Sequence, residues 1–333
     1  MAEAAEPHDA RIQPGGNPRG KGEPVARGFP AVMRGDDPPA IQGSGRLALA
    51  DWLTDPGHPL TARVLVNRVW QHHFGRGIVA TPSDFGRRGS PPSHPELLDW
   101  LASRFVEDGW SIKSLHRRIL LSDVYRRSSA WDDEAGAVDP ENTLLWHFSR
   151  RRLDAEELRD SLLFLGRRLD ESPGGAHPFP PLKKWNWTQH RPFRAVYPSA
   201  RRTVYLMTQR IKRHPYLALF DGPDTNASCA RRTETTTPSQ ALFLMNSGFV
   251  HEQAGSFARR ILELDEDERL DAAWRMVYGR TPARDERDEV TAWLVDERNE
   301  LALSGTGAGG VELAAWTGLA RVLVASNEFL YVE

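Results

Sequence analysis

The sequence predicts a mainly α-helical protein: an irregular helical domain with a long central loop rich in proline and tryptophan, and one small β-hairpin. Apolar residues recur at helical spacing in long stretches on both sides of the centre of the chain. Capping signals stand where several of these stretches begin. The centre itself has no apolar periodicity, so it is predicted to be a loop.

Composition excludes several classes of protein. The chain has 333 residues, of which 40% are hydrophobic and 26% charged, as in ordinary soluble globular proteins. The formal net charge of −2 provides no basic field, so we expect no nucleic-acid partner. The single cysteine, Cys229, excludes an internal disulfide, a Cys-x-x-Cys-His haem attachment and a multi-cysteine zinc site, so no cofactor is evident in this chain. No apolar run reaches the roughly 18 to 20 residues that span a bilayer.

The first 45 residues are predicted to form an extended arm. Residues 1–45 are rich in glycine and proline and hold few large apolar side chains. Two interpretations stay open here. The arm is either a free tail or a segment that packs over the domain through Val25, Phe29 and Pro30.

One helical domain is predicted over 46–333, and its N-terminal half is 46–170. Pro95 is expected in the first turn of one helix, and Ser111 is expected to be the N-cap of the next. Asp154 and Glu157 have the spacing of a capping box, which predicts a further helix start.

Less regular segments separate the helices. The polar stretch 128–142 is expected to be a connecting loop. The central loop region, 171–236, is dense in proline, glycine and aromatic residues, and long ordered loops of this kind are often functional. Within it, residues 201–210 ("RRTVYLMTQR") alternate partly and form the best strand candidate.

The C-terminal helical half, 237–333, begins at "TTPSQALFLMN". Thr237 is predicted as the N-cap, Pro238 at the first helical position, and Gln240 at the third position with its side chain reaching back to the cap. Capping therefore explains these three residues without any chemistry.

The segment just upstream, "FDGPDTNASCARRTETT", is the main candidate site. It places charged and amide side chains in a short loop that ends at a helix N-terminus, namely Asp221, Asp224, Asn226, Arg231 and Arg232. A helix N-terminus offers free N–H groups to an anion, and arginines strengthen such a site. The alternative interpretation is a structural network of arginine and aspartate.

Two weaker constellations lie in the central region. The histidines His177, His190 and His214, together with Asp221 and Asp224, could supply nitrogen and oxygen ligands to a metal, or be ordinary hydrogen-bonded side chains. The string "KKWNWTQHRPF" contains Trp185 and Trp187, which suit stacking on a sugar or base, or else form a packed plug. The sequence contains no Walker loop, Rossmann fingerprint or His-Glu-x-x-His motif.

Four strings carry a family resemblance: "SGRLALADWLTDPGHPLTARVLVNRVWQHHFGRGIVATPSDFGRRGSPPSHPELLDWLASRF", "GWSIKSLHRRILLSDVYRRSS", "RRRLDAEELRDSLL" and "FDGPDTNASCARRTETTTPSQALFLMN". From about residue 11 to the C-terminal end, the chain resembles the planctomycete-type family called domain of unknown function 1553. The resemblance implies an exported protein whose relatives carry a cytochrome-c-like module and a second domain upstream, in bacteria that degrade polysaccharides. It supplies no catalytic residues.

The chain departs from this family pattern. It has no haem motif, no upstream domain and no basic-then-apolar signal peptide, so we expect either a fragment or partner domains on a separate chain. Taken alone, the N-terminus predicts a cytoplasmic protein, but the resemblance implies a periplasmic or extracellular one, and we adopt the latter expectation. Haem c is expected only on a partner domain.

Two functional hypotheses follow. The first is a non-enzymatic accessory or scaffold module of an exported, cytochrome-c-associated assembly. The second is an enzyme acting on carbohydrate polymers, coupled or not to electron transfer, whose pocket lies in the central loops 171–236. The enzyme hypothesis predicts that the catalytic candidates Asp221, Asp224, His190 and His214 converge with the ligand-binding candidates Arg231, Arg232, Trp185, Trp187 and Asn226.

Overall fold

The computed structural model describes residues 7–33, 40–175, 199–208, 210 and 213–332, which divide into two compact units, Met1–Ser149 and Arg150–Glu333. The predicted mainly α fold is confirmed, because the only strands among the described residues form two small antiparallel pairs. Within this described part, no helix is both long and apolar enough to cross a membrane. The single helical domain over 46–333, with its halves, stays a prediction.

In the part of the first unit that the structure describes there are five α-helices: α1 (Arg46–Thr54), α2 (Thr61–Phe74), α3 (Pro95–Glu107), α4 (Ile112–Leu120) and α5 (Asp133–Val138). Its core lies where α2, α3 and α4 pack together, and Val66, Phe105 and Ile119 are buried there. The predicted N-cap is confirmed, since the hydroxyl of Ser111 accepts the N–H of Ser114 at 3.2 Å. The expectation of a loop over 128–142 is wrong in part, because Asp132 caps the short helix α5 there.

The N-terminal arm carries the small hairpin of this unit. Strands β1 (Ala10–Arg11) and β2 (Pro24–Val25) pair antiparallel. The ring of Phe29 stacks on Trp52 of α1 with centroids 4.9 Å apart, whereas Val25 is exposed. Of the three residues that were expected to pack the arm over the domain, Phe29 does so through Trp52, whereas the exposed Val25 does not.

The described residues of the second unit form eight α-helices: α6 (Ala155–Leu165), α7 (Pro215–Leu219), α8 (Pro238–Asn246), α9 (Gly248–Leu262), α10 (Arg269–Tyr278), α11 (Arg284–Leu303), α12 (Ala308–Ala325) and α13 (Asn327–Leu330). Strand β3 (Arg151–Arg152) pairs antiparallel with β4 (Tyr331–Val332), which ties the two ends of the unit together. The core is centred on α9 and α12, where Phe257, Ile261 and Ala315 are buried.

Local capping fixes two helix starts as predicted. The Glu157 carboxylate accepts the N–H of Asp154 at 2.8 Å, and α6 begins at the next residue. At α8 the side chain of Gln240 accepts the N–H of Thr237 at 3.2 Å, and Pro238 is the first helical residue. Both helix N-termini lie beside the loop that joins α7 to α8, since α8 follows that loop and Glu156 of α6 binds Arg232 within it.

The strand expected over 201–210 is wrong where the structure describes it. Thr203–Tyr205 is a 3₁₀ turn, and Arg201 makes only an isolated bridge with Asp170. The cause is the carboxylate of Asp160, which accepts both the backbone N–H (2.8 Å) and the hydroxyl (2.5 Å) of Thr203. A side-chain acceptor therefore takes the place of a neighbouring strand.

A charged network joins α10, α11 and α13. The guanidinium of Arg280 contacts the carboxylate of Glu286 through two bonds of 2.7 Å, and that of Glu328 at 2.6 and 2.8 Å. These contacts lower the pKa of Glu286 to about 2, with Arg280 as the largest cause. The network is partly solvated, so we assign it about 1 kcal/mol of stability.

This network predicts an acid-dependent stability. Glu286 ionises more readily in the folded chain than at its ordinary pKa of 4.5, so its stabilisation is complete above pH 4.5 and disappears as the pH falls toward 2. Urea unfolding at several pH values should show wild type about 1 kcal/mol more stable than Glu286→Gln near neutrality, with the difference vanishing in acid.

Glu289→Gln, an exposed position on the same helix, is the matched control and should change little at any pH. A Glu286→Gln difference that grew as the pH fell would contradict this account.

Candidate functional site

The candidate loop begins at a tight turn after α7. Asp221 has a φ of 61°, in the left-handed region that aspartate tolerates better than most residues. The N–H of Gly222 donates to the carbonyl of Leu217 at 2.6 Å, and a Cβ on Gly222 would lie 2.7 Å from that oxygen. This close approach requires glycine, and it directs the Asp221 side chain back toward β3.

The carboxylate of Asp221 is the centre of the loop's first clamp. It accepts the guanidinium of Arg152 at 2.7 Å, the N–H of Thr235 at 2.9 Å and the Thr235 hydroxyl at 2.7 Å. Arg152 also donates to the carbonyl of Thr235 and, at 3.2 Å, to the side chain of Gln240. The Arg152 side chain is only 10% exposed and that of Asp221 16%, so this ion pair is largely removed from water.

These contacts keep Asp221 ionised. Burial opposes ionisation, but the Thr235 N–H, the Arg152 guanidinium and the Thr235 hydroxyl outweigh it and hold the pKa of Asp221 below its ordinary value. The pKa of Asp224 is also lowered, chiefly by hydrogen bonds from the backbone and side chain of Asn226. Both groups are therefore carboxylates at neutral pH, not proton donors.

A second clamp holds the far side of the loop. The guanidinium of Arg232 binds both carboxylate oxygens of Glu156 on α6, at 2.5 and 2.9 Å, and lies 3.5 Å from Asp154. The pKa of Asp154 is raised above its ordinary value, chiefly by burial and to a smaller extent by the negative charges of Glu157 and Glu156. The positive charge of Arg232 lowers this pKa but does not outweigh burial. The bidentate geometry commits Arg232 to the protein's own carboxylate.

Between the two clamps the loop lines a half-open cavity of about 560 Å³. Its charged and nucleophilic lining comes from Arg213, Asp221, Asp224, Cys229, Arg231 and Arg232. Arg231 is exposed, and its side chain has no hydrogen-bond or ion-pair partner in the described part of the chain. The cavity therefore presents the Arg231 guanidinium, which no other side chain among the described residues binds.

The sequence-predicted candidates converge only in part. Four of them line the cavity, namely Asp221, Asp224, Arg231 and Arg232. The side chain of Asn226 instead donates to the carbonyl of Arg210 at 2.8 Å, and His214 is the N-cap of α7. Three candidates lie outside the described residues, namely His190, Trp185 and Trp187, as does His177. No group of three or more potential metal-binding side chains occurs among the residues that the structure describes.

Two of the residues that shape the site were not predicted. Arg152 is one of three consecutive arginines, and Glu156 is one of two consecutive glutamates, so composition does not distinguish either from its neighbour. Strand alternation is the one available signal, since adjacent residues of β3 point to opposite faces. It would have indicated that either Arg151 or Arg152 turns inward, but not which.

The fold and the loop place the chain in a class: a mainly α-helical protein in which two arginine–carboxylate clamps hold a loop that lines a half-open cavity. The chain belongs to the PSD1 family, described as protein of unknown function (DUF1553), whose family model matches residues 45–294. This confirms the predicted family. No curated protein and no solved structure shows a significant match to the chain.

Proposed function

We propose that the chain is a non-enzymatic accessory module of an exported assembly that carries cytochrome-c-like domains. The observation that supports this role is that the fold uses two of the four catalytic candidates, Asp221 and Asp224, for its own contacts. Asp221 holds Arg152 and Thr235, and Asp224 holds the turn at Asn226. A catalytic acid or base usually has a pKa near the working pH, and these two carboxylates have pKa values shifted the other way.

The resemblance supplies the partner in this proposal. Haem c belongs to a cytochrome-c-like domain or protein that the chain binds, and the assembly acts in the periplasm or outside the cell. The β3–β4 pair and the two clamps tie together the ends and the loop of the second unit, and in most pre-organised complexes the backbone of the interface moves little on binding.

The proposal is tested by mixing the purified chain with a c-type cytochrome domain from the same organism. Size-exclusion chromatography with light scattering should show a complex of defined stoichiometry that carries haem absorbance. An unrelated cytochrome c of similar size and charge is the control and should elute separately. If the native cytochrome also elutes alone, and titration calorimetry detects no heat of binding, the accessory role is wrong.

An enzyme acting on a carbohydrate polymer is the second candidate, and one observation favours it. Asp221, Asp224 and Arg231 line one cavity of about 560 Å³, within the roughly 300–1,000 Å³ of ligand pockets. The accessory role predicts no release of reducing ends from a panel of plant and algal polysaccharides. The enzyme hypothesis instead predicts that the wild type degrades one of these polysaccharides, that a fully folded Asp224→Asn variant does not, and that the control Glu234→Gln does. That result would replace the accessory role with the enzymatic one.

A further inference from the structure

The charged side chains around the loop cavity are not equivalent. Asp221 is neutralised by Arg152, and Arg232 is neutralised by Glu156. Arg213 donates to the carbonyl of Gly222 and lowers the pKa of Asp224 by its proximity. The remaining charged group of the lining is Arg231, and within the described ranges no carboxylate is paired with it.

The backbone that carries Arg231 is fixed on both sides. Its carbonyl accepts the thiol of Cys229 at 3.3 Å, and the next residue, Arg232, is held by Glu156. Asp224 accepts the backbone N–H and the side-chain amide of Asn226 at 2.9 and 3.2 Å, and no contact joins it to Arg231 among the described residues. The fold therefore holds the Arg231 backbone in place beside the cavity without giving its side chain a partner in the described residues.

We propose that this cavity binds the oxyanion group of a small ligand and that Arg231 contacts it. A guanidinium matches the two oxygens of a carboxylate, phosphate or sulfate group in a bidentate arrangement. The cavity exceeds the size of one such group, so the rest of the ligand is a small organic body. This inference does not depend on a cytochrome partner, so either proposal can fail without the other.

The chain contains its own reporter for this site. Cys229 is its single cysteine, is exposed, and lines the same cavity. The rate of Cys229 alkylation by uncharged iodoacetamide would be measured with increasing phosphate, sulfate or galacturonate, each against potassium chloride of equal ionic strength and against neutral galactose. Titration calorimetry with the same compounds gives the affinity.

At least one of the three anions should slow the alkylation of Cys229 until the rate reaches a plateau at high anion concentration. The anion that does so identifies whether the ligand's oxyanion group is a phosphate, a sulfate or a carboxylate. Arg231→Gln should weaken that binding by about tenfold or more, since hydrogen bonds to a charged group are lost, without changing the unfolding midpoint. Arg284→Gln, which removes the same charge at an exposed position on α11, should bind like wild type. Effects no larger than those of potassium chloride, or equal binding by Arg231→Gln, would overturn the proposal.

Discussion

Replacing Arg152 by alanine is expected to lower the free energy of unfolding by about 3 kcal/mol. The substitution leaves the Asp221 carboxylate without its guanidinium in a site where the two side chains are only 16% and 10% exposed. It also removes donors to Thr235 and Gln240. Breaking one half of a buried ion pair costs more than the pair contributes, because the remaining charge stays desolvated.

The neighbouring arginine is a matched control for this prediction. Arg151 pairs with Glu157, whose side chain is 43% exposed, so Arg151→Ala should cost less than about 1 kcal/mol. Urea unfolding of both variants at neutral pH measures the difference. Equal destabilisation by the two alanine substitutions would show that the first clamp does not hold the loop.

Replacing Phe257 by alanine should destabilise the second unit by about 4 kcal/mol. The ring lies on α9, is 1% exposed, and belongs to the core shared with α12. Removing it loses the transfer free energy of the ring and leaves a cavity that two long packed helices can close only in part.

Phe164 on α6 provides the control of the same residue type. It is 55% exposed and lies under the guanidinium of Arg260 at 5.9 Å, so Phe164→Ala should cost less than about 1 kcal/mol. Calorimetric or urea unfolding distinguishes the two variants. A Phe257→Ala protein that unfolds like Phe164→Ala would place the core of this unit elsewhere.

The features that the sequence predicted correctly are local ones. The starts at Ser111, Asp154 and Thr237 depend on residues three positions apart, and the structure confirms each of them. Apolar periodicity likewise identified the long helices, because one helix face must be buried whatever it packs against.

The features it did not predict depend on long-range contacts. Arg152 and Asp221 are 69 residues apart, and no periodic pattern connects them. The strand expected near Thr203 was wrong for the same reason, since the acceptor that turns the chain, Asp160, lies 43 residues earlier. The role of Arg231 emerges only after its neighbours have been assigned their partners.

The central claim is that the Asp221 carboxylate holds the fold and is not catalytic. Its most direct test is the free energy of unfolding of Asp221→Asn, measured together with the release of reducing ends from polysaccharide by the same sample. Our account predicts a loss of about 2 kcal/mol, because Arg152 loses its counter-charge, with no polysaccharide turnover in the wild type or the variant. A variant as stable as the wild type that has lost a wild-type polysaccharide-degrading activity would contradict it, and Asp221 would then be a catalytic carboxylate.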